Sequence, residues 1–547
     1  MSSIVIIPAR GGSKGIPRKN LRPLAGKPLI YYSIVASLGA KSVSKVVVST
    51  DDDEIALFAG RFGAQVLMRD PRLADDVTTL DPVIASALSQ GEELWKEQYD
   101  IVVTVQPTSP LVLSSDIEHA IQLFEQADVD TVLSVVDDRH LCWSNESAIA
   151  KPLYTARVNR QQLPSNFRET GAVIACTRSQ LINNGTRIGN NVKLLEIAQD
   201  RSFDIDNFSD LALCESLLNR KRIVFTVVGY DSVGLGHVYR ALMLAHELVQ
   251  YDLHFVCEKS SDLAKQGIES QHYTVHLCAD GELADACISL NPSMVINDIL
   301  DTSAEYVHQL KEAGIKVVNF EDIGSGYLEA DLVINALYPH QLPSDHVLVG
   351  PKYFCLRDEF LYLFQHDKTE TIERILLTFG GVDEGNLTAR CLNVIADYCS
   401  SKNIHVDVVV GPGFIHHQEV EDCINLFPNL DVSYSKGTKR ISDIMAKSDL
   451  AITSGGRTVL ELAALNVPTV VICQNQRETT HTFASSENGI LNLGFREVVS
   501  DTQILENVVN VIEDVSLARI MREKSKKLDF SKGKKRVIKR IIDILEH

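Results

Sequence analysis

Short apolar runs alternate with helix-length stretches along the N-terminal part of the chain. The runs are Ser3–Ile7, Lys45–Ser49, Asp100–Thr104, Asp130–Val136 and Ala172–Cys176. They are rich in Val and Ile with almost no polar alternation, which is typical of strands buried on both faces of a mostly parallel sheet. The pattern predicts a first α/β domain over residues 1–220.

The same alternation starts again twice. The second series begins at Arg222–Gly229 and continues with Leu253–Cys257, Met294–Asn297, Lys316–Phe320 and Leu332–Asn335. The third begins at Ile375–Gly381, after the charged linker Gln365–Glu373, and continues with Val406–Val410, Leu450–Thr453 and Thr469–Cys473. These series predict two further doubly wound domains, residues 222–365 and 374–547, with a cleft between them.

Composition narrows the class of protein. A chain of 547 residues is too long for one hydrophobic core, and 45% hydrophobic with 23% charged residues is ordinary for a folded globular protein. A formal net charge of −19 argues against general nucleic-acid binding, because phosphate backbones are held by clustered Lys and Arg. The eleven Cys form no CxxC pair, which favours a reducing, cytoplasmic location. Since no run of about 18 apolar residues occurs, we expect no membrane span.

A glycine-rich loop follows the first predicted strand. It reads Arg10-Gly11-Gly12-Ser13-Lys14-Gly15, with Arg18, Lys19 and Asn20 just beyond. Glycines let backbone N–H groups approach an anion closely, and the cations supply charge for a triphosphate. The loop lacks the Gly-Lys-Ser/Thr ending of the common P-loop, which argues against a kinase or ATPase. A tight structural turn is the alternative interpretation.

The segment Ile7–Asn20 closely resembles the nucleotide motif of cytidylyltransferases that make CMP-activated nonulosonic acids (sialic, pseudaminic and legionaminic acids) and of CMP-Kdo synthetases. Val48–Ile55, Arg69–Asp75 and Thr78–Thr79 follow in the order expected of that family. The resemblance implies a Rossmann-like nucleotidyltransferase domain with Arg10 and Lys14 as catalytic residues. It implies CTP binding by Arg10, Gly11, Gly12, Ser13, Lys14, Lys19, Asn20, Arg69 and Thr79. We also expect a homo-oligomer formed through this domain.

Two later segments, Gln106–Leu111 and Arg160–Ala172, resemble the sugar site of that family. The first ends a buried strand, where ligands of open α/β sheets bind, and the second carries guanidinium groups that can pair with a sugar carboxylate. The resemblance assigns the nonulosonic acid to Gln106, Thr108, Ser109, Arg160 and Arg168. A rigid helix-capping turn and a solvated surface loop are the respective structural alternatives.

Phe203–Asp206 carries two carboxylates two positions apart, so both lie on one side of an extended segment and repel unless a cation or proton lies between them. In the resembling family this pair binds the catalytic metal, so Asp204 and Asp206 are the predicted ligands of Mg²⁺. Capping of the next helix by Asp206 is a compatible alternative. The implied reaction is attack of the sugar's anomeric hydroxyl on the α-phosphate of CTP with release of pyrophosphate. No side chain stands out as its general base.

A second glycine turn, Gly234–Arg240, follows the strand that begins at Arg222. Its backbone N–H groups and the helix start make an anion site beside the imidazole of His237, which can act as a general base. A structural residue at a helix start is the alternative.

The strands of the third series end in Phe379–Gly381, Thr453–Thr458 and Cys473–Gln476. Glycines there admit a diphosphate, and the carboxylate of Glu461 can accept ribose hydroxyls. With the His237 turn, this layout resembles two-Rossmann, GT-B-like glycosyltransferases of the lipid II-forming type and, more closely, the UDP-sugar hydrolase of pseudaminic acid biosynthesis. The resemblance implies water activation by His237 and UDP binding by Gly236, Gly381, Gly455, Gly456, Glu461, Asn475 and Gln476.

One departure concerns the second series. The hydrolase is expected to carry an aromatic hydroxyl after its Asp, whereas this chain reads Asn297-Asp-Ile-Leu-Asp301.

The leading hypothesis is a bifunctional enzyme that joins CTP to a nonulosonic acid in its first domain and hydrolyses a UDP-linked amino sugar in its C-terminal half. A UDP-sugar-dependent glycosyltransferase and a catalytically silent nucleotide-sugar-binding module are the alternatives for that half.

Overall fold

The computed structural model describes residues 1–13, 15–75, 77–126, 128–145, 150–230, 235–338, 344–363, 370–438 and 440–547. Over these residues the chain forms two compact units, Met1–Arg220 and Lys221–His547. The predicted site residue Lys14 lies outside the described residues, as do Gly234 and much of the predicted linker. No helix in the described part of the chain combines the length and the apolar composition that a membrane span requires.

The first unit is built on a mostly parallel sheet. Its strands are β1 (Ser3–Pro8), β2 (Pro23–Leu24), β3 (Lys27–Pro28), β4 (Lys45–Thr50), β5 (Gln65–Met68), β6 (Ile101–Val105), β7 (Thr131–Asp137), β8 (Trp143–Ser144), β9 (Lys151–Pro152), β10 (Phe167–Thr177) and β11 (Val192–Glu196). Its helices are α1 (Ile30–Leu38), α2 (Asp53–Arg61), α3 (Leu80–Trp95), α4 (Ser114–Gln122), α5 (Arg178–Asn184) and α6 (Phe208–Leu218). The main sheet has the order β11-β7-β10-β6-β1-β4-β5, in which β10 runs antiparallel to both of its neighbours.

The second unit contains two parallel sheets. Its strands are β12 (Arg222–Val227), β13 (Asp252–Glu258), β14 (Val275–Cys278), β15 (Met294–Asp298), β16 (Lys316–Phe320), β17 (Leu332–Asn335), β18 (Val347–Val349), β19 (Arg374–Thr378), β20 (His405–Val410), β21 (Val432–Lys436), β22 (Leu450–Thr453), β23 (Thr469–Cys473) and β24 (Ile490–Phe495). The sheet orders are β14-β13-β12-β15-β16-β17-β18 and β21-β20-β19-β22-β23-β24. With the first sheet, they confirm the predicted α/β class.

The helices of the second unit pack on these sheets. They are α7 (Gly236–Glu247), α8 (Asp262–Glu269), α9 (Leu283–Ser289), α10 (Ala304–Glu312), α11 (Asp358–Leu361), α12 (Leu387–Lys402), α13 (His417–Leu426), α14 (Ile441–Lys447), α15 (Thr458–Ala464), α16 (Gln476–Thr479), α17 (Asp501–Glu513), α18 (Val515–Lys526) and α19 (Gly533–Glu546).

Each sheet has a topological switch point beside its first strand. The neighbours β1 and β6, β12 and β15, and β19 and β22 are the pairs at which the chain changes the side on which it adds strands. Loops after such strands diverge to opposite sides of the sheet, which leaves a crevice at their carboxyl ends. The predicted glycine-rich loops and the Gln106 turn all begin there.

The last helix departs from the predicted division of the second unit. The prediction placed residues 374–547 in one domain, whereas α19 packs its buried residues Val537, Ile541 and Leu545 with Ile223 and Phe225 of β12. The apolar stripe of this helix, whose other face is basic, is buried on the core of the first half of the unit. The chain therefore crosses back to the half in which the second series began.

This crossing predicts that Ile541→Ala destabilises the second unit. Ile541 is fully buried, so truncation removes apolar contacts and leaves a cavity, and we expect the free energy of unfolding to fall by about 2–5 kcal/mol. Urea unfolding followed by circular dichroism measures this change. Lys539→Ala on the exposed face of α19 is the matched control and is expected to change little. Equal stability of the two variants would contradict the packing of α19.

Candidate functional site

The loop after β1 lies against the carboxyl end of β4. The backbone N–H of Gly11 donates to Asp51 Oδ1 at 3.0 Å, and a Cβ on Gly11 would lie 2.6 Å from Asp52 Oδ2. This contact requires glycine. A Cβ on Gly12, in contrast, would meet no atom within 4 Å, so the described part of the loop keeps open space on that side. An anion can approach the backbone there without side-chain obstruction.

The predicted CTP-binding residues Arg10 and Arg69 are close enough for the charge of one to act on the other. Arg10 Nη1 donates to the carbonyl of Asp75 at 2.8 Å, and Asn20 Nδ2 donates to the carbonyl of Arg10 at 2.9 Å. Arg69 Nη2 donates to the carbonyl of Ser49 at 2.7 Å. Burial lowers the pKa of Arg69 and the charge of Arg10 lowers it further, while Asp51 opposes the change. An anion placed between the two guanidinium groups would relieve their repulsion.

The Asp204–Asp206 segment lies against the same loop. A Cβ on Gly15 would lie 2.7 Å from the carbonyl oxygen of Asp206, and Lys19 Nζ is 3.3 Å from Asp206 Oδ1. The structure thus brings together residues separated by 187 positions in the sequence. Asn207, and not Asp206, caps α6 with its side chain, so the alternative role considered for Asp206 is wrong.

The carboxyl group of Asp204 is buried next to the Gln106 turn. The backbone N–H of Ile205 donates to the carbonyl of Thr108 at 2.8 Å. Among the described residues, the buried atoms Asp204 Oδ1, Thr108 Oγ1 and Ser109 Oγ make no hydrogen bond of normal geometry, although the Thr108 hydroxyl lies near enough to the Asp204 carboxyl to act on its pKa. Burial raises the pKa of Asp204 and the Asp206 carboxylate raises it further, while Thr108 and Lys19 oppose the rise. Unpaired buried oxygens of this kind indicate room for a ligand or cation.

The predicted sugar-binding arginines lie elsewhere in the unit. Arg160 lines a cleft of about 700 Å³ together with Asp137, Arg139, Glu196 and Gln199. Arg168 is half exposed and its Nε donates to Asp138 Oδ2 at 3.2 Å. No hydrogen bond or ion pair between described residues connects either arginine with the Gln106 turn, although Gln106 itself lies beside Gly171. Arg139, which was not among the predicted residues, lies three positions after the predicted strand Asp130–Val136.

His237 is held by a buried carboxylate at the switch point of the second sheet. Its Nδ1 lies 2.5 Å from Oδ1 of Asp298, the last residue of β15, and Asp298 is 1% exposed. Arg240, one turn further along α7, donates from Nε to Asp298 Oδ2 at 2.6 Å and from Nη2 to Oδ1. Burial by itself raises the pKa of Asp298, but Arg240 and then His237 outweigh it, so the pKa lies below its usual value. Asp298 is therefore an anion that fixes the orientation of the imidazole.

Glu321 completes this network. It accepts from Arg240 Nη1 at 3.2 Å and from the backbone N–H groups of Ala336 and Leu337. Its φ of 53° is in the left-handed region, which a residue with a Cβ rarely adopts. Burial raises the pKa of Glu321, and the charges of Arg240 and Arg457 oppose the rise. No sequence signal marked Glu321, because its role depends on contacts with three distant segments.

The predicted UDP residues of the third sheet lie at loop ends and take part in several contacts. A Cβ on Gly411 would lie 2.5 Å from Cα of Gly381, so the loops after β19 and β20 pack tightly. The N–H of Gly455 donates to Glu478 Oε2 at 3.1 Å. A Cβ on Gly456 would lie 3.6 Å from Glu478 Oε1, and a Cβ on Gly236 would lie 3.5 Å from Cδ of Arg457.

Two of these residues are already engaged. Glu461 accepts from Arg357 Nε at 3.0 Å, and Asn475 caps α16 by accepting from the N–H of Glu478. Gln476 is the first residue of that helix. Arg357, which sequence reasoning missed, is 104 positions away from Glu461. In the described part of the chain, no group of three or more His, Cys, Asp and Glu side chains is arranged to hold a metal ion.

These features define the class of protein: a nucleotidyltransferase-like α/β domain followed by a GT-B-like region with two parallel sheets. Through its first unit, the chain belongs to the cytidylyltransferase family. Residues 4–200 match the family model described as Cytidylyltransferase. Residues 375–541 match the model described as Glycosyltransferase family 28 C-terminal domain.

Similar proteins cover different parts of the chain. A CMP-N,N'-diacetyllegionaminic acid synthase of Legionella pneumophila is 33% identical over 41% of this chain and 100% of the relative. An uncharacterized protein of Methanocaldococcus jannaschii is 28% identical over 47% of this chain, and the match spans 56% of that relative. Among solved structures, MurG of Acinetobacter baumannii is 14% identical with a TM-score of 0.46, over 59% of this chain and 99% of that one.

One buried histidine of the second unit predicts a pH-dependent stability. His481 is 4% exposed, and neither ring nitrogen has a hydrogen-bond partner among the described residues. Burial lowers its pKa from 6.5 to about 4. Above pH 6.5 the imidazole is neutral in both states; below it only the unfolded state takes up the proton, until the pH approaches 4.

We therefore expect the free energy of unfolding to fall by about 2 kcal/mol between pH 7 and pH 5 on account of this group. Urea unfolding at both pH values measures the fall, and His481→Phe should remove this part of it. His308→Gln, on the exposed side of α10, should keep the wild-type dependence. An unchanged dependence in His481→Phe would show that His481 is not the responsible group.

Proposed function

We propose that the first unit joins CTP to a nonulosonic acid to give the CMP-sugar and pyrophosphate. The observation that carries the proposal is the contact between the glycine-rich loop and the Asp204–Asp206 segment through Gly15 and Lys19. The family match and the full-length match to a CMP-N,N'-diacetyllegionaminic acid synthase support it. A nonulosonic acid of the legionaminic or sialic type is accordingly the proposed acceptor.

Mg²⁺ is the proposed cofactor of this reaction. The unpartnered buried oxygen of Asp204 and the neighbouring carboxylate of Asp206 fit a hard cation, which would take its remaining oxygen ligands from phosphate and water. Bound there, the ion would neutralise charge that develops on the reacting phosphate. Lys19, which contacts Asp206 from the loop, would move its ammonium group from the carboxylate towards the triphosphate.

The chain's own residues account for the remaining steps of the proposed transfer. Arg10 and Arg69 would hold the triphosphate beside the open Gly12 backbone, with Lys14 as a further predicted contact. The anomeric hydroxyl of the acid would attack the α-phosphorus and lose its proton to solvent or to a neighbouring base. The bond between the α-phosphorus and the oxygen that bridges to the β-phosphate would break, and pyrophosphate would leave with that oxygen and the electron pair. The buried hydroxyls of Thr108 and Ser109 are available as donors to the sugar.

For the second unit we propose cleavage of a UDP-linked amino sugar with His237 as general base. Asp298 accepts the proton on Nδ1, so the other nitrogen, Nε2, carries the lone pair that removes a proton from the attacking oxygen. The attack breaks the bond between the anomeric carbon and the phosphate oxygen, and UDP takes the electron pair. Water is the acceptor in the leading form of the proposal.

Transfer of the sugar to a hydroxyl acceptor is the second candidate. The match of residues 375–541 to the family 28 glycosyltransferase model favours it. The same dyad would deprotonate either acceptor, so the two candidates differ in whether UDP release needs an added acceptor.

Asp204→Asn is expected to reduce pyrophosphate release from CTP and a nonulosonic acid by about 100-fold or more, because one proposed cation ligand loses its charge. A coupled pyrophosphate assay with N,N'-diacetyllegionaminic and sialic acids measures the rate across added Mg²⁺ concentrations. Asp128→Asn, at an exposed position with φ 65°, makes the same chemical change away from the site and should have no effect. Wild-type rates in Asp204→Asn would refute the assignment.

His237→Ala is expected to reduce UDP release from UDP-diacetamido sugars by about 10²–10⁴-fold, because the general base is lost. UDP release is followed with and without sugar acceptors, so hydrolysis and transfer are separated in one assay. His308→Ala, on the exposed side of α10, is the control, and pyrophosphate release by the first unit should be unchanged in both variants. If His237→Ala cleaved every active UDP-sugar as fast as the wild type does, both enzymatic proposals for this unit would be wrong.

A further inference from the structure

The charged groups around His237 differ in how many of their hydrogen-bond donors and acceptors have a partner. Arg240 donates from Nε and Nη2 to Asp298 and from Nη1 to Glu321. Both oxygens of Asp298 and both oxygens of Glu321 accept hydrogen bonds from these and from backbone donors. This part of the network is therefore satisfied within the protein.

Arg457 is different. It follows Ser454-Gly455-Gly456 at the carboxyl end of β22 and is half-buried. Its Nη2 donates to the carbonyl of Cys355 at 3.3 Å, and its guanidinium carbon lies 4.9 Å from the centre of the Phe354 ring. Among the described residues it makes no ion pair, although a guanidinium has five N–H donors. Most of its N–H donors are thus not used by the residues that the structure describes.

Arg457, in the loop after β22 of one sheet, contacts the start of α7, which follows β12 of the other sheet. Its Cδ would lie 3.5 Å from a Cβ on Gly236, the residue before His237. The guanidinium is close enough to Arg240, Glu461, Asp298 and Glu321 for their charges to act on it. Glu461 is paired with Arg357, and the oxygens of Asp298 and Glu321 are occupied, so these carboxylates attract Arg457 without an ion pair. Burial lowers the pKa of Arg457 and the charge of Arg240 lowers it further, a state that an added anion would relieve.

We infer that Arg457 binds the diphosphate of the nucleotide-linked sugar and makes the second site selective for nucleoside diphosphates over nucleoside monophosphates. The inference rests on the proposed UDP-sugar cleavage. A planar guanidinium donates two parallel N–H bonds to phosphate oxygens, and the glycines at Gly236, Gly455 and Gly456 leave room for phosphate on either side. Arg457 would then hold the leaving phosphate on one side of the anomeric carbon, while the oxygen deprotonated by His237 attacks from the other side.

This selectivity has a consequence within the chain. The proposed product of the first unit carries one phosphate, whereas the proposed substrate of the second carries two. A site that depends on bidentate contact with a diphosphate holds the monophosphate-linked sugar weakly. Arg457 would therefore keep the product of one reaction out of the site of the other.

Binding of UDP, UMP and uridine to the full chain tests the inference by isothermal titration calorimetry. In Arg457→Met the affinity for UDP is expected to fall by about 10- to 100-fold, the range for loss of charge-assisted hydrogen bonds, with uridine affinity unchanged. The preference for UDP over UMP should shrink by a similar factor. Arg519→Met, which removes one positive charge from the exposed side of α18, is the matched control and should bind like the wild type.

Thermal unfolding of each variant checks that it is folded. If Arg457→Met does not fold, Arg457→Gln decides, because its amide can still donate to the Cys355 carbonyl while it lacks the charge. UDP affinity at the wild-type level in a folded variant would overturn the inference alone. If titration of the wild-type chain with uridine and with UDP gave no heat above background, the proposed function of the second unit would be wrong, and the inference would fail with it.

Discussion

Parallel strands all end at the same edge of their sheet, and this constraint determines where the glycine-rich loops and the His237–Asp298 pair lie. Side chains and loops that follow neighbouring strands lie together at that edge. A crevice opens between these loops only at the topological switch point, where the chain changes the side on which it adds strands. In the three sheets those places are β1 beside β6, β12 beside β15, and β19 beside β22. The loop of Gly11 and Gly12, the His237–Asp298 pair and the Gly455–Arg457 loop all begin at these strands. The antiparallel β10 leaves this arrangement intact because it adds on the far side of β6.

The buried charged groups at the carboxyl ends of these strands differ in whether the protein itself satisfies them. A buried ion is stable only if other groups satisfy it, and Asp298 is satisfied by Arg240 and His237 at the cost of leaving the imidazole only one free nitrogen. That restriction leaves Nε2 as the ring atom that takes no part in the contact with Asp298. Asp204 and Arg457 are the opposite case: each is buried or half-buried with hydrogen-bonding capacity that the described protein does not use. Completed networks position groups, and incomplete ones mark where a ligand would complete them.

Apolar runs in the sequence predicted the central strands and missed the edges. The prediction missed the short strands β2, β3, β8 and β9 of two two-stranded sheets. Within the three large sheets, the strands absent from the prediction are β5, β11, β14, β18, β21 and β24, which are the outermost strands. They are partly exposed, so they carry polar residues such as Lys193 and Ser433 and do not form apolar runs. Glycine-rich loops were likewise visible in the sequence, because their residues are contiguous. The partners of Arg357 and Arg477 were not, because pairs such as Arg477 with Asp301 join positions 176 apart and depend on how two sheets pack.

The segment after Asp298 shows why a departure from an expected motif need not remove the chemistry. In the stretch where an aromatic hydroxyl was expected after the Asp, Leu300 adopts φ 69°, a left-handed conformation that costs a non-glycine residue about 1–2 kcal/mol. Both ends of the segment hold it there: Asp298 is bound by Arg240, and Asp301 by both Nη1 and Nη2 of Arg477 at 2.8 and 3.0 Å. Arg477 also donates to the carbonyl of Glu321, so this turn connects α16 of the second half to the network that orients His237. The segment from Asp298 to Asp301 thus holds the groups that orient the imidazole of His237 and contains no aromatic hydroxyl of its own.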